Sequence, residues 1–123
     1  MASVLSSRAD LKPSVRANQL ILVACIHEQK ELRVLPNGMS ILECTLWHES
    51  QVTEANADRL LGFLLPARSL GPVAERMARL QLGTPIRAWG FIAPRRQARL
   101  ESADQARPAT SLIFTINEFT LGE

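Results

Sequence analysis

Residues 32–48, LRVLPNGMSILECTLWH, decide the fold of this chain. Two runs rich in Leu, Ile and Val flank Pro36-Asn37-Gly38, which favours a tight turn because Gly38 can adopt a positive φ. In the second run alternate residues share a face with a period of two. One face carries Leu42, Cys44, Leu46 and His48, and the other carries Ile41, Glu43, Thr45 and Trp47. The pattern predicts a hairpin of 32–35 with 39–48 that turns one face toward the core.

The rest of the chain supplies further elements. Residues 18–27 indicate a mostly buried strand, 72–80 a short amphipathic helix that begins at Pro72, 86–92 an alternating strand, and 111–121 a closing strand. The apolar run 59–66 is either a short strand or the end of a helix. Residues 93–110 are polar, basic and interrupted by proline, which predicts a long loop, and loops of this length are usually functional.

This order of elements predicts a mainly β fold. Five strands with one short helix between the third and the fourth is the arrangement of an oligonucleotide-binding (OB) barrel, which binds nucleic acid through the loops after its first and fourth strands. Residues 1–17 have no periodicity and are expected to form a disordered N-terminal extension. Residues 18–123 are expected to form the OB domain.

Length and composition exclude several classes of protein. A chain of 123 residues is long enough for one domain and too short for a catalytic module beside a binding module. It has no apolar run of membrane-spanning length and no secretory signal, which predicts a soluble, cytoplasmic protein. Cys25 and Cys44 are expected to be reduced and buried. The two histidines and the scattered carboxylates match no metal, nucleotide or hydrolase motif, so no catalysis, cofactor or metal is expected.

The charges are unevenly distributed. Residues 18–66 carry a net charge of −3, whereas 67–123 carry eight arginines against five acids. Five of these arginines lie between Arg87 and Arg107. Such a basic segment indicates a polyanionic partner, although a solvated basic loop has the same composition.

Two aromatic side chains share one face of strand 86–92 with an arginine. Arg87, Trp89 and Phe91 alternate with Ile86, Ala88 and Gly90. A face of this kind is either a stacking platform for bases or a subunit interface. Trp47 presents the same choice, and its acidic neighbours favour packing or dimerisation.

Several short stretches resemble one known family. They are Asn18-Gln19-Leu20-Ile21-Leu22, Leu32-Arg33 before Pro36-Asn37-Gly38, Leu46 with His48 and Ser50, Glu54-Ala55, Arg59, Pro66, and Leu82-Gly83 leading into Gly90-Phe91-Ile92. In order and spacing they are similar to the bacterial primosomal replication protein N family, small OB-fold proteins of replication restart that are related to the single-strand-binding proteins. The resemblance runs from about residue 18 to the end of the chain.

The resemblance implies a non-catalytic homodimer that binds single-stranded DNA without sequence preference and assists the primosomal helicase among other primosome proteins, with no membrane partner. The residues expected to bind DNA are Arg33, Arg59, Trp89, Arg95, Arg96 and Arg99, the last three in the basic loop.

The chain departs from the family at two positions. Glu49 stands where a basic residue is expected, and Gly62 stands where the family can carry a stacking tryptophan. Trp47 and Trp89 are candidates to supply stacking from other positions. The alternative function is therefore a primosome scaffold or adaptor that acts mainly through protein contacts and binds DNA weakly.

Overall fold

The computed structural model describes residues 16–95 and 111–122. Within these ranges the chain forms six β-strands and one α-helix. In chain order they are β1 (Leu20–Gln29), β2 (Arg33–Val34), β3 (Ser40–Glu54), β4 (Ala57–Leu70), α1 (Pro72–Ala78), β5 (Pro85–Pro94) and β6 (Leu112–Leu121). Of the expected N-terminal extension only residues 16 and 17 are described, and most of the expected 93–110 loop lies outside the described residues.

The five long strands close into a barrel. Their hydrogen-bonded order is β1-β5-β6-β4-β3, and β3 pairs back onto β1, while the short β2 extends the edge of β3. Every pairing is antiparallel except that of β4 with β6. The helix α1 follows the third long strand and precedes the fourth. The predicted OB-fold class is confirmed.

The turn at Pro36-Asn37-Gly38 forms as expected. Gly38 has a φ of 88° and donates its N–H to the carbonyl of Leu35 at 2.8 Å. The first arm, however, is much shorter than the predicted 32–35, since only Arg33 and Val34 pair with β3. Both residues are exposed, so this arm buries no side chain in the core and gains little from longer pairing. Counting it as a barrel strand was wrong.

The missing barrel strand is β4, which forms a long hairpin with β3. The two strands pair without a break from Ile41 opposite Leu70 to Glu54 opposite Ala57. Ala55 and Asn56 join them, both at positive φ, as a two-residue type I′ turn requires. The strand interpretation of 59–66 is thus confirmed, within a longer strand. Residues 51–60 are all exposed. Because neither face of this part of the hairpin is buried, its sequence does not alternate between apolar and polar residues.

The core lies where the sequence patterns place it. Leu42 and Leu46 of β3 are buried together with Met77 of α1 and Phe114 of β6. The helix ends at Ala78, two residues earlier than predicted, with Pro72 in its first turn. No helix in the described ranges is long and apolar enough to cross a membrane.

The backbone of β6 leaves no room for a side chain at Gly90 of β5. A Cβ atom at this position would lie 1.8 Å from the carbonyl oxygen of Thr115. The β5–β6 register shifts by one residue beside it, between the pairs Trp89–Glu118 and Gly90–Ile116, which makes Asn117 the extra residue of a β-bulge. Only glycine leaves the β6 backbone room to approach this closely.

Candidate nucleic-acid interface

The outward sides of β3 and β4 form one surface, which we call the hairpin face. Directly opposite residues of an antiparallel pair share a face. The pairs on this one are Glu43 with Arg68, Thr45 with Pro66, Trp47 with Leu64, and Glu49 with Gly62. The hairpin face therefore has a charged end beside the barrel mouth and an apolar, aromatic part farther along the strands.

Two cations contact one carboxylate at the charged end, and a third cation lies on the opposite strand. Arg33 donates from Nη2 to Oε2 of Glu43 at 2.9 Å, and Nζ of Lys30 lies 3.8 Å from Oε1 of the same residue. Arg68, opposite Glu43, donates from Nε to the hydroxyl of Thr115 at 3.2 Å. The cluster carries a net positive charge.

Arg95 reaches the same region because the barrel closes. It lines a recess of about 340 Å³ together with Lys30 and Glu43, and its backbone N–H donates to the carbonyl of Ser111 at 2.9 Å. The structure thus brings Arg33 and Arg95 to one end of the barrel. The expected DNA-binding residues Arg96 and Arg99 lie outside the described residues.

The wall of that recess includes the thiol of Cys44, which the period of two directs inward. Burial raises the pKa of the Cys44 thiol from 9.0 to about 12. A thiol with so high a pKa stays protonated at neutral pH and is a poor nucleophile and a poor metal ligand. Cys25 is half-buried and also free. In the ranges that the structure describes, no group of three His, Cys, Asp or Glu side chains could hold a metal ion.

The outer edge of the Trp47 indole lies close to Gly62 on the neighbouring strand. A Cβ atom on Gly62 would lie 3.0 Å from Cη2 and 3.3 Å from Cζ2 of the indole. Nε1 of the ring donates to the carboxylate of Glu49 at 3.1 Å. The absence of a side chain at position 62 thus makes room for an indole from β3, and Glu49 fixes its orientation. The indole remains partly exposed.

Arg59 lies apart from this cluster, near the tip of the hairpin. It forms an ion pair with Glu54 across the turn. Arg68 lies nine positions farther along β4, which is roughly 30 Å of extended strand. Arg59 and Arg33 therefore do not belong to one compact site.

Trp89 also lies on a different surface. The outward sides of β1 and β5, which we call the rear face, carry Arg87, Trp89 and Phe91, with Ile21 directly opposite Trp89. In the ring of strands β5 is not a neighbour of β3 or β4. The alternation predicted for this strand is confirmed, but the structure does not bring Trp89 to the hairpin face.

His48 has the structural role expected for a partly buried histidine. Nδ1 lies 2.7 Å from the carbonyl oxygen of Val23, and Nε2 lies 2.9 Å from the hydroxyl of Ser50. Its ring also packs against Phe63 with a centroid separation of 5.0 Å. These contacts hold the base of the hairpin against β1.

The sequence patterns missed two residues of the charged end. Lys30 and Arg68 became members only once the barrel closed and the β3–β4 register placed Arg68 opposite Glu43. Trp47 was expected either to stack on bases or to pack, and its acidic neighbours favoured packing or dimerisation. The paired β3 and β4 patterns would have located Arg68, had residues 51–58 been recognised as strand and turn.

Comparison with known proteins identifies the family. The model described as "another single-strand binding protein family" matches residues 18–103. The replication restart protein PriB of Bordetella pertussis is 39% identical over 80 residues, which cover 65% of this chain and 75% of that protein. PriB of Nitrosomonas europaea is 32% identical over 84 residues, covering 68% of this chain and 78% of the relative. The chain belongs to the PriB family.

Solved structures agree with this assignment. PriB from Ralstonia solanacearum has a TM-score of 0.71 at 27% identity, covering 87% of this chain and all of the other. The single-stranded DNA binding protein of Thermus aquaticus, at 20% identity, shows the same fold with a TM-score of 0.64 over 87% of this chain and half of that one. The resemblance to primosomal replication protein N is confirmed, and the matched region begins at Asn18, as expected.

Proposed function

We propose that this PriB-family protein is a non-catalytic replication restart protein that binds single-stranded DNA. One observation carries the proposal. The cations Lys30, Arg33, Arg68 and Arg95 converge at the end of an OB barrel where the first and fourth long strands lead into loops. OB folds bind nucleic acid on the face of their second and third strands and on these loops, and here that face is the hairpin face.

Binding at the charged end is electrostatic. Phosphate groups replace the Glu43 carboxylate as partners of Arg33 and Lys30, while counterions leave the DNA backbone. Because phosphate carries no sequence information, such contacts give affinity without sequence preference. The basic loop adds Arg95, Arg96 and Arg99 to this path.

Trp47 supplies the stacking surface of the same site. Its indole is held between the backbone of Gly62 and the carboxylate of Glu49, so stacking of a base requires little reordering of the side chain. It lies four residues along β3 from Glu43, about 13 Å of extended strand. That spacing leaves room for DNA phosphates at the charged end while bases reach the indole.

Dimerisation is part of the proposal. On the side that faces β3, β1 pairs only from Cys25 onward, so residues 20–24 form a strand edge that pairs with no other strand among the described residues. An unpaired edge is a template for a second strand. Two copies joined here would extend one sheet across both protomers. Assistance to the primosomal helicase rests on the family resemblance alone.

The second candidate function is the adaptor with weak DNA binding. Glu43 and Glu49 on the hairpin face favour it, because DNA must approach two carboxylates. In that case the protein contributes to the primosome chiefly through protein partners, and the basic end serves an acidic protein surface.

Fluorescence anisotropy of labelled oligo-dT across a salt series separates the two functions. We expect tight binding by the wild type, and a salt slope that falls by about 0.7 for each lost phosphate contact. The variants are Arg33→Ala/Arg68→Ala and Arg95→Ala/Arg96→Ala/Arg99→Ala. Arg79→Ala, an exposed arginine at the end of α1, is the matched control. Undetectable wild-type binding at low salt would reject the DNA function and leave the adaptor.

A further inference from the structure

The rear face has a recess beside Trp89. It has a volume of about 280 Å³ and is lined by residues of three strands and of the segment before β1, among them Gln19, Ile21 and Asn117. Ligand pockets for drug-sized molecules begin at about 300 Å³, so this recess suits a smaller group. The indole of Trp89, 36% exposed, provides an aromatic wall.

The β-bulge at Gly90 brings Asn117 to this recess. Because β6 lies against Gly90, the register shift leaves Asn117 without an opposite residue on β5. Bulges commonly redirect a side chain in this manner. Asn117 is exposed and lines the recess rather than the core.

Two amide side chains of the recess have no internal partner. Within residues 16–95 and 111–122, neither Gln19 nor Asn117 makes a side-chain hydrogen bond. Asn18 differs, since its amide donates to the carbonyl of Ile92 at 2.8 Å and accepts from the same residue's N–H at 3.0 Å. These two hydrogen bonds anchor the chain to β5 next to Gln19. They therefore keep the Gln19 side chain beside the recess.

An arginine lies one strand repeat away from Trp89. Arg87 shares the outward face of β5 with Trp89, about 7 Å along the strand. In the described part of the chain Arg87 has no ion pair or side-chain hydrogen bond. Glu118, opposite Trp89, is occupied by an ion pair with Arg76. Among the residues that the structure describes, the guanidinium of Arg87 is therefore an unpaired charge on this surface.

We propose that the recess binds one nucleobase of single-stranded DNA, stacked on Trp89, with Gln19 and Asn117 bonded to its polar edge and Arg87 on an adjoining phosphate. An amide offers a donor and an acceptor side by side, which matches the edge of a base. This inference rests on the proposed function and adds a second contact outside the hairpin face, so that the strand continues around the barrel.

A base fits this surface better than a second copy of the chain does. A subunit interface over Ile21, Trp89 and Phe91 would bury two unpaired amides and an unpaired guanidinium, which is costly unless each finds a partner. A nucleotide satisfies the amides, the aromatic wall and the cation together. Of the two alternatives, stacking platform and subunit interface, the proposal therefore takes stacking.

Trp89 can be observed alone, because the chain has only two tryptophans. In the full chain carrying Trp47→Phe, we expect oligo-dT to quench the fluorescence of Trp89. An abasic phosphodiester of equal length supplies phosphates without bases, and it should bind, as seen by anisotropy, without quenching. Adding Gln19→Ala/Asn117→Ala should weaken oligo-dT binding about tenfold and leave abasic binding unchanged, while Gln81→Ala, an exposed amide before β5, should change neither.

The outcomes are distinguishable. If oligo-dT binds but leaves Trp89 fluorescence unchanged, the recess inference is overturned and the proposed function stands. If neither oligomer binds the wild type, both are overturned. Sedimentation velocity tests the rival occupant, since a change of oligomeric state in Trp89→Ala without loss of DNA affinity would make the rear face a subunit interface.

Discussion

The hairpin face and the rear face differ in what their cations contact. On the hairpin face Arg33 and Lys30 share the carboxylate of Glu43, and Arg68 donates to Thr115. On the rear face Arg87 has no partner among the described residues. The first surface holds its cations in position before a ligand arrives, and the second leaves its cation free. A phosphate must therefore displace a carboxylate on one face and only water on the other.

The cost of that displacement is small. Exposed ion pairs contribute about 0.2–1 kcal/mol, so Glu43 weakens DNA binding without preventing it. The Glu43 carboxylate also repels phosphate at a distance. Only a ligand of high charge density therefore competes with it for Arg33 and Lys30. Pairing on the hairpin face thus lowers affinity for weak anions more than affinity for a polyanion.

The largest expected effect is on the shape of the rear face. Gly90→Ala places a methyl group within 1.8 Å of the Thr115 carbonyl, so β6 must move and the bulge is lost. We expect the free energy of unfolding to fall by about 3 kcal/mol or more, measured by urea denaturation. Gly38→Ala is the control, since no atom lies within 4 Å of its Cβ and only the positive φ costs about 1 kcal/mol. Equal losses would show that β6 shifts freely.

Trp47→Ala should have the largest effect on the hairpin face itself. A stacked base contributes about 1–3 kcal/mol, which corresponds to a loss of oligo-dT affinity of about fivefold to 150-fold. The indole carries no charge, so the salt slope should not change. Trp47→Phe keeps an aromatic ring and should retain most of the affinity. Anisotropy at two salt concentrations measures both quantities, and unchanged affinity in Trp47→Ala would place the bases elsewhere.

Removing the Glu43 carboxylate leaves the two cations that it contacts unpaired, as Arg87 is among the described residues of the rear face. Glu43→Gln releases Arg33 and Lys30, and we expect oligo-dT to bind several-fold tighter, because no carboxylate has to be displaced and none repels the phosphates. Glu54→Gln releases Arg59 at the hairpin tip. Tightening in this second variant would add Arg59 to the DNA path, as predicted from the sequence, whereas no change would exclude it. Unchanged affinity in Glu43→Gln would mean that DNA does not contact this end.

The smallest effect should come from Glu49. In Glu49→Gln the side-chain oxygen still accepts from Nε1 of Trp47, but the charge is gone, so we expect about a twofold gain in affinity at low salt that disappears at high salt. Glu49→Ala removes the charge and the acceptor together. If both variants bind alike, the hydrogen bond does not position the indole, and a loss of affinity in Glu49→Gln would contradict the repulsion argument.

The sequence patterns predicted the parts of the fold that bury side chains. Alternation in 40–46 and 86–90 and the helical stripe at Met77 each reflect one face turned to the core. The outer half of the β3–β4 hairpin was missed because it is exposed on both faces, and its turn uses Ala55, a residue that rarely adopts positive φ. The arm 32–35 looked like a strand but has no core to pack against.

Site residues that are neighbours in the sequence could be predicted. Site residues that come together only when the barrel closes could not. The basic loop was predicted from local sequence, and Arg33 was expected from the family resemblance. The pairing of Arg33 with Glu43 depends on the register of β2 with β3, and the approach of Arg95 depends on the last strands closing the ring. Trp47 and Gly62 lie on two different strands, so their contact was not visible in the sequence. Gly62 was therefore taken as the loss of a stacking tryptophan, whereas it makes room for the indole of Trp47.

The two-residue turn at Ala55–Asn56 also bears on how the chain folds. Hairpin pairs near this turn are close in sequence, whereas the pair that joins Cys25 to Pro85 closes a loop of some sixty residues. Short loops close faster than long ones, so we expect the β3–β4 hairpin to form outward from its turn before the barrel closes. In the native state the exposed tip should then exchange its amide hydrogens early, and the pairs between β1 and β5 late. The arm that reaches farthest from the core would be the first to form and the first to fray.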